Sequence, residues 1–272
     1  MREPYYISND ELRKVQLVLL EILVEIDRVC RKNNIVYYIT SGTMLGAVRH
    51  KGFIPWDDDA DVSIQRNEYN RFVDACKTDL DSTRFYLQDH NNTPGYRWGY
   101  GKLRRKGSQY VRMGQEHMPY EQGIFVDLFP IDHAPNNYIL RALHHFHCFV
   151  YRKIFWSAVG MYTAKGAERV AYILLNKIPT KFLYARYNKF IESCNKKSTK
   201  WTRVITFPPP TRDFAYKKKG AGVCEVEFEG VMLFGMKDYD EYFTIKYGDY
   251  MKLPPEDERK QKHPVSSLKL PD

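Results

Sequence analysis

Four aspartates crowd into five residues at Asp57-Asp58-Asp59-Ala60-Asp61, and a fifth stands alone in the apolar run Gly123-Ile124-Phe125-Val126-Asp127-Leu128-Phe129. So dense a cluster repels itself unless cations sit among its carboxylates. Asp59 and Asp61 are two apart, which at the start of a strand aims them to one side. Such a pair can share a hard divalent cation, since Mg²⁺ (or Mn²⁺) takes a few carboxylates together with substrate phosphate oxygens. An aspartate buried in an apolar strand is costly unless it binds metal or pairs with a base. Asp127 can thus reach the same cations from an adjacent strand, or take the proton of an attacking hydroxyl. The alternatives are a solvated acidic loop for the cluster and a buried salt bridge from Asp127 to Lys102 or Arg104. Asp57 and Asp58 read less clearly, one of them serving to cap a turn. Asp132 reads as a turn residue after Pro130.

The elements that must hold these groups follow from periodicity. An amphipathic helix is predicted over 9–33, capped by Asn9 or Asp10, with Leu12, Val15, Leu19, Ile22, Ile26 and Val29 at helical spacing. A β-rich run over 35–40 ends at the small-residue turn Ser41-Gly42-Thr43, and 43–50 reads as helix. Backbone N–H groups at such a helix start can receive a phosphate, and Arg49, His50 and Lys51 add cations for its oxygens. Strand-like runs are predicted at 61–65, 85–88, 98–104, 109–113 and 124–129, with a helix over 68–80. Interleaved strands and helices imply an α/β or α+β sheet core over 1–133, and α+β is the class expected. Residues 134–200 read as a helical subdomain, basic and aromatic. Past a stiff Pro208-Pro209-Pro210 connector, 201–272 carries a hairpin turning at Glu229-Gly230 and a helix over 238–247, packing back on the core. The last twenty residues read as a proline- and charge-rich end.

Composition limits the classes. The chain has 272 residues, 43% hydrophobic and 15% aromatic, enough for a sizeable core. Its net charge of +9 calls for an anionic partner. The five cysteines, Cys30, Cys76, Cys148, Cys194 and Cys224, form no CxxC pair, which argues against a disulfide framework and suits a reducing compartment. No apolar signal core opens the chain and no run of about 18 apolar residues spans a membrane. The expected location is cytoplasmic, at the inner face of the membrane if the basic helices meet lipid.

The segments GTMLGAVRHKGFIPWDDDADVSI, VDLFPID and YGDYMKLPP closely resemble the LicD family of choline phosphotransferases, with fukutin-type glycan ribitol-phosphate transferases as more distant relatives. The resemblance spans most of the chain; 137–200 adds little to it. It implies a nucleotidyltransferase-like fold in which Gly42 marks the helix start by the nucleotide phosphates, Asp59 and Asp61 bind metal, and Asp127 is the third carboxylate. It further implies a CDP-activated donor, CDP-choline or another CDP-alcohol. The group moved is then phosphocholine and the acceptor a lipid-linked oligosaccharide, as in teichoic acid or lipopolysaccharide synthesis. Ala60 stands where relatives often carry a larger aliphatic residue.

Other features carry weaker readings. Trp56, Tyr96, Trp98, Tyr100 and Tyr120 are candidates to surround a quaternary ammonium, though each also suits a core. His144, His145, His147 and Cys148 look like zinc ligands but read better as an amphipathic helix boundary. The basic aromatic helices of 141–190 suit an anionic membrane surface or a solvated basic face. Arg259 and His263 could touch phosphate but read better as surface residues, and Lys217, Lys218 and Lys219 read as a solvated loop. A true nucleotidyltransferase, releasing pyrophosphate, would use the same carboxylates. Nucleic acid is not expected as a partner, because the acidic cluster would repel its phosphates.

Overall fold

The computed structural model describes residues 5–209, 215–217 and 222–271. Pro210 of the predicted connector and Lys218 and Lys219 of the predicted loop lie outside them. Helix α1 (Asn9–Lys32) starts one residue earlier than Asn9 or Asp10 would allow as caps. Ser8 is the cap: its Oγ accepts from the Glu11 N–H at 3.3 Å while Glu11 Oε2 accepts from the Ser8 N–H at 2.8 Å. This reciprocal pair satisfies two donors that a lone Asn would leave open. The stripe of Leu12, Val15, Leu19, Ile22, Ile26 and Val29 is buried as its spacing predicts.

After β1 (Tyr37–Ile39), α2 (Ser41–His50), β2 (Asp61–Gln65) and α3 (Arg66–Asp79), the chain forms β3 (Phe85–Gln88), β4 (Gly101–Arg105), β5 (Gln109–Arg112) and β6 (Phe125–Ala134). Three helices follow, α4 (Tyr138–Thr163), α5 (Gly166–Asn176) and α6 (Thr180–Asn195). The remainder is β7 (Trp201–Val204), β8 (Tyr216–Lys217), the hairpin β9 (Val223–Phe228) and β10 (Val231–Met236), α7 (Tyr239–Tyr247) and β11 (Val265–Lys269). The main sheet runs β3-β4-β6-β2-β1-β10-β9, with β7 paired to β6 and β8 to β7. The β2–β6 and β1–β10 pairs are parallel and the others antiparallel, a mixed sheet of the expected α+β class. Glu229 and Gly230, at φ 51° and 77°, make the predicted hairpin turn; glycine adopts that left-handed backbone without a Cβ penalty.

Alternation across the strands divides the sheet into two faces. Tyr37, Ile39, Val62, Ile64, Val126 and Leu128 belong to one buried core with α1. The odd-numbered residues of β2 and β6, Asp61, Ser63, Asp127 and Phe129 among them, belong to the opposite face.

Three expectations for the strands change. Pro130 does not end β6, which continues to Ala134. The Asp127 N–H bonds to the Ala60 carbonyl, so by two-residue alternation the Pro130 nitrogen faces the other side. There β4 has ended at Leu128 and β7 pairs only from Ile131, so no ladder bond is lost. Asp132 is accordingly no turn residue. It is fully buried and bridged by Arg66, whose Nε and Nη2 reach its two oxygens at 2.7 Å each. Asn195 donates to it at 2.7 Å, tying α6 to the sheet. The charged tail contains β11, which pairs with β5 in a separate two-stranded sheet. Its partner is remote in sequence, and no hairpin turn announces it.

Removing one member of a buried charge pair leaves the other uncompensated. Asp132→Ala is expected to lower the unfolding free energy by about 3 kcal/mol, measured by urea denaturation. A loss under about 1 kcal/mol would mean that Arg66 finds water instead.

Candidate functional site

The parallel register of β2 and β6 sets Asp61 directly opposite Asp127. Both aspartates are first or early residues of their paired segments, where the β2 chain arrives from the acidic loop. Thr43 fixes that arrival: its Oγ1 accepts from the Asp61 N–H at 2.8 Å. Burial pushes the Asp61 carboxyl well up, reinforced by the charges of Asp59, Asp127 and Asp57, in that order. The Lys246 charge opposes them. The expected trio of Asp59, Asp61 and Asp127 therefore lies within mutual electrostatic reach, although the segments that carry it are far apart in sequence.

Cations surround the acids. Lys102, paired across β4 and β6 with Asp127, bonds its Oδ1. Burial outweighs that attraction and pushes the Lys102 ammonium down to about 7. The salt bridge weighed as an alternative for Asp127 is thus present, with Lys102 as the partner. Arg104 instead bonds Gln88 and the Gly123 carbonyl, each at 2.7 Å. Arg112 donates to Asp59 Oδ2 at 3.0 Å, while its Nε is buried with no partner among the described residues. An orphaned donor beside a carboxylate cluster suits an anion or a water.

Asp58 is buried in a network of its own. Tyr110 Oη donates to Oδ2 at 2.7 Å, and His263 Nδ1 lies 3.0 Å from Oδ1. Burial would raise its carboxyl, but the His263 hydrogen bond and the Arg112 charge hold it below the usual range. Asp58, Asp59 and His263 bring one ligand atom each within 4.8 Å of one another, a second grouping of metal-binding composition.

At the start of α2, Ser41 has φ 52°, a left-handed conformation that a residue with a Cβ adopts at a cost. Its Oγ accepts from Lys246 Nζ at 3.0 Å, and Lys246 also reaches Tyr242 Oη at 3.1 Å. Gly42 is required by a close approach, since a Cβ there would lie 2.5 Å from Asp57 Oδ2. The Asp57 carboxylate therefore stands against the first turn of α2. Burial, then Asp59 and Asp58, push it up to about 8.

The predicted phosphate residues divide between the two ends of α2. Ser41, Gly42 and Thr43 adjoin the acids, whereas Arg49 and Lys51 lie at the far end, about 12–15 Å along the axis. Arg49 Nη1 donates to the carbonyls of Tyr250 at 2.9 Å and Lys252 at 3.4 Å, holding the YGDYMKLPP segment. Lys51 is the exposed C-cap, and its carbonyl accepts from Glu229.

A cavity of about 520 Å³ opens on the acidic face of the sheet. Tyr38, Ser63 and Phe129 line it together with Trp201, Tyr242 and Lys246. Ser63 and Phe129 are each two residues beyond an aspartate, and the Lys246 charge acts on Asp61, so cavity and acids are neighbours.

The aromatic candidates separate. Lys102 Nζ lies 5.2 Å from the Tyr100 ring and 5.9 Å from Trp98, so both rings face the chain's own cation. Tyr96 packs on Tyr120, and Trp56 on His50. His144 is buried, its Nε2 3.3 Å from Cys194 Sγ and its ring stacked on Phe190. Burial pushes it down to about 3.

Lys246 and Arg112 were not singled out for this site from sequence, and His263 was weighed only as a phosphate contact or a surface residue. Arg112 had a signal: it alternates with Tyr110 on β5, and the two take Asp59 and Asp58. Lys246 follows Tyr242 by one helical turn, a spacing common to any helix. Nothing local pointed His263 to Asp58, which is 205 residues away.

The raised Asp57 carboxyl gives a stability signature. Its ordinary value is 3.8 and its folded value about 8, so between these the folded chain binds the proton more tightly. That stabilisation is present at the acid end and is lost as pH rises through about 8. Asp57→Asn should therefore raise the melting temperature, measured in chelator, clearly at pH 8 and little at pH 4. An equal effect at both would show Asp57 ionised throughout.

The family profile described as "LicD/FKTN/FKRP, nucleotidyltransferase domain" matches residues 34–157, from the start of the sheet into α4. The "Lipopolysaccharide cholinephosphotransferase LicD" of Haemophilus influenzae is 32% identical over 265 residues, covering 93% of this chain and 96% of that protein. An uncharacterized protein of Rickettsia prowazekii is 40% identical over 68 residues, 23% of this chain and 26% of its own.

Proposed function

The chain belongs to the LicD family of choline phosphotransferases, and from that membership we propose that it transfers phosphocholine, or a related alcohol phosphate, from a CDP-activated donor. The acceptor is a sugar hydroxyl of a cell-surface glycan precursor carried on lipid, and CMP is released. The observation that carries this reading is the register placing Asp61 against Asp127 beside a cavity lined by Lys246.

The residues fit a divalent cation. A buried Asp61 carboxylate facing three further acids is short of positive charge. The donor set is all hard oxygen, which suits Mg²⁺ or Mn²⁺. Asp59, Asp61 and Asp127 would hold the ion, whose chemistry is to neutralise the donor pyrophosphate.

The chain's own groups do the rest. Lys246, held by Ser41 and Tyr242, and the orphaned Nε of Arg112 bind donor phosphate oxygens. Ser41, Gly42 and Thr43 offer the N–H groups of the α2 start. Asp127 orients the acceptor hydroxyl and takes its proton as oxygen bonds to the choline-bearing phosphorus. The bond from that phosphorus to CMP breaks in the same displacement. Lys102 restrains Asp127 through Oδ1. Most of the acceleration would come from this positioning and charge.

Incubation with CDP-choline, a lipid-linked oligosaccharide and Mg²⁺ should yield CMP and a phosphocholine-bearing glycan by mass. Asp61→Asn should lower turnover by about a thousandfold. Pyrophosphate release with CTP would instead indicate nucleotide transfer. Lys246→Met should raise the donor KM by at least about tenfold, the worth of one charge-assisted hydrogen bond. An unchanged KM would remove Lys246 from the donor site.

A further inference from the structure

The chain's positive charge is concentrated in one place. Residues 134–200 hold 12 Lys and Arg against 2 Glu, a net +10. The other 30 basic and 31 acidic residues leave the remainder at −1. Lys165, Arg169, Lys177, Lys181, Arg186 and Lys189 are all exposed on or beside these helices.

The same segment exposes apolar surface. Along α4, Cys148 and Phe155 pack with α6 in a core of their own. On the opposite face Ile139, Leu143, Phe146 and Val150 recur at i, i+4, i+7 and i+11, exposed by 69%, 55%, 61% and 36%. Leu140 and Phe149 flank them, also exposed. A helix apolar on both faces is normally covered, and a stripe of this kind marks an interaction surface. No acidic side chain occurs anywhere in α4.

We infer that this face of α4 docks on an anionic lipid bilayer, with Ile139, Leu143, Phe146 and Val150 entering the headgroup boundary and the local surplus of positive charge drawing the segment to acidic headgroups. The pairing of an apolar stripe with a local charge of +10 selects lipid as the occupant. A second copy of this chain would bring like charge against like charge, and repulsion opposes it. No helix of the described residues is long and apolar enough to cross a membrane, so the contact is interfacial. The second half of α4 packs Trp156 near Trp98, at 6.0 Å between rings, on the segment leading into β4 and Lys102.

The test needs no enzymatic readout, so it stands apart from the proposed reaction. The full chain is sedimented with vesicles of phosphatidylcholine alone or with about 30% phosphatidylglycerol. Binding is expected only to the anionic vesicles, falling in high salt as charges are screened. The exposed double variant Leu143→Glu, Phe146→Glu should keep the native circular dichroism and lose at least about tenfold in binding. Failure of the native chain to bind, or equal binding by the variant, would overturn the inference. So would a concentration-dependent dimer that the variant abolishes, because the stripe would then be a protein interface.

Discussion

Mutual repulsion among Asp57, Asp59, Asp61 and Asp127 is the constraint around which the structure is arranged. Two like charges about 4 Å apart near a protein surface repel by roughly 4 kcal/mol. The fold opposes that repulsion with rigid backbone. A parallel register fixes Asp61 against Asp127, Thr43 clamps the entry to β2, and Gly42 leaves room for Asp57. Lys102, Arg112 and Lys246 supply positive charge from three other elements. The acids remain under-compensated, since burial and neighbouring charges still push Asp57 and Asp61 upward. A residual need for positive charge in a shaped recess is what binding a cation requires.

The helical segment supports this arrangement from the side. Tyr184 Oη lies 2.9 Å from the carbonyls of both Tyr96 and Trp98, and Tyr187 Oη donates to the Gly99 carbonyl at 3.0 Å. Gly99 admits that contact, because a Cβ there would lie 2.8 Å from the Tyr187 hydroxyl. The strand that follows carries Lys102 to Asp127. Asn195 and Arg66 meet at Asp132 further along β6, so α6 grips the central strand as well. Helix α6 thereby braces both the acidic strand and the segment that leads into its Lys102 partner. On the other side, β11 and His263 close over Asp58 through the tail.

Local patterns in the sequence determined most elements. Periodicity located α1, β2, β3 and the β9–β10 hairpin, since side-chain spacing and turn chemistry act within a few residues. Unusual acid density marked Asp59 and Asp61, and an aspartate in an apolar strand marked Asp127, because both are costly without compensation. What depended on remote partners was not legible. The Arg66–Asp132 pair, the β5–β11 sheet and His263 at Asp58 join residues 66, about 155 and 205 positions apart. Only the tertiary structure decided which cation meets which acid, and that Arg49 turns to the carbonyls of Tyr250 and Lys252. The physical reason is that local preference and periodicity are short-ranged, whereas charge pairing and strand register are settled by which distant segments the core brings together.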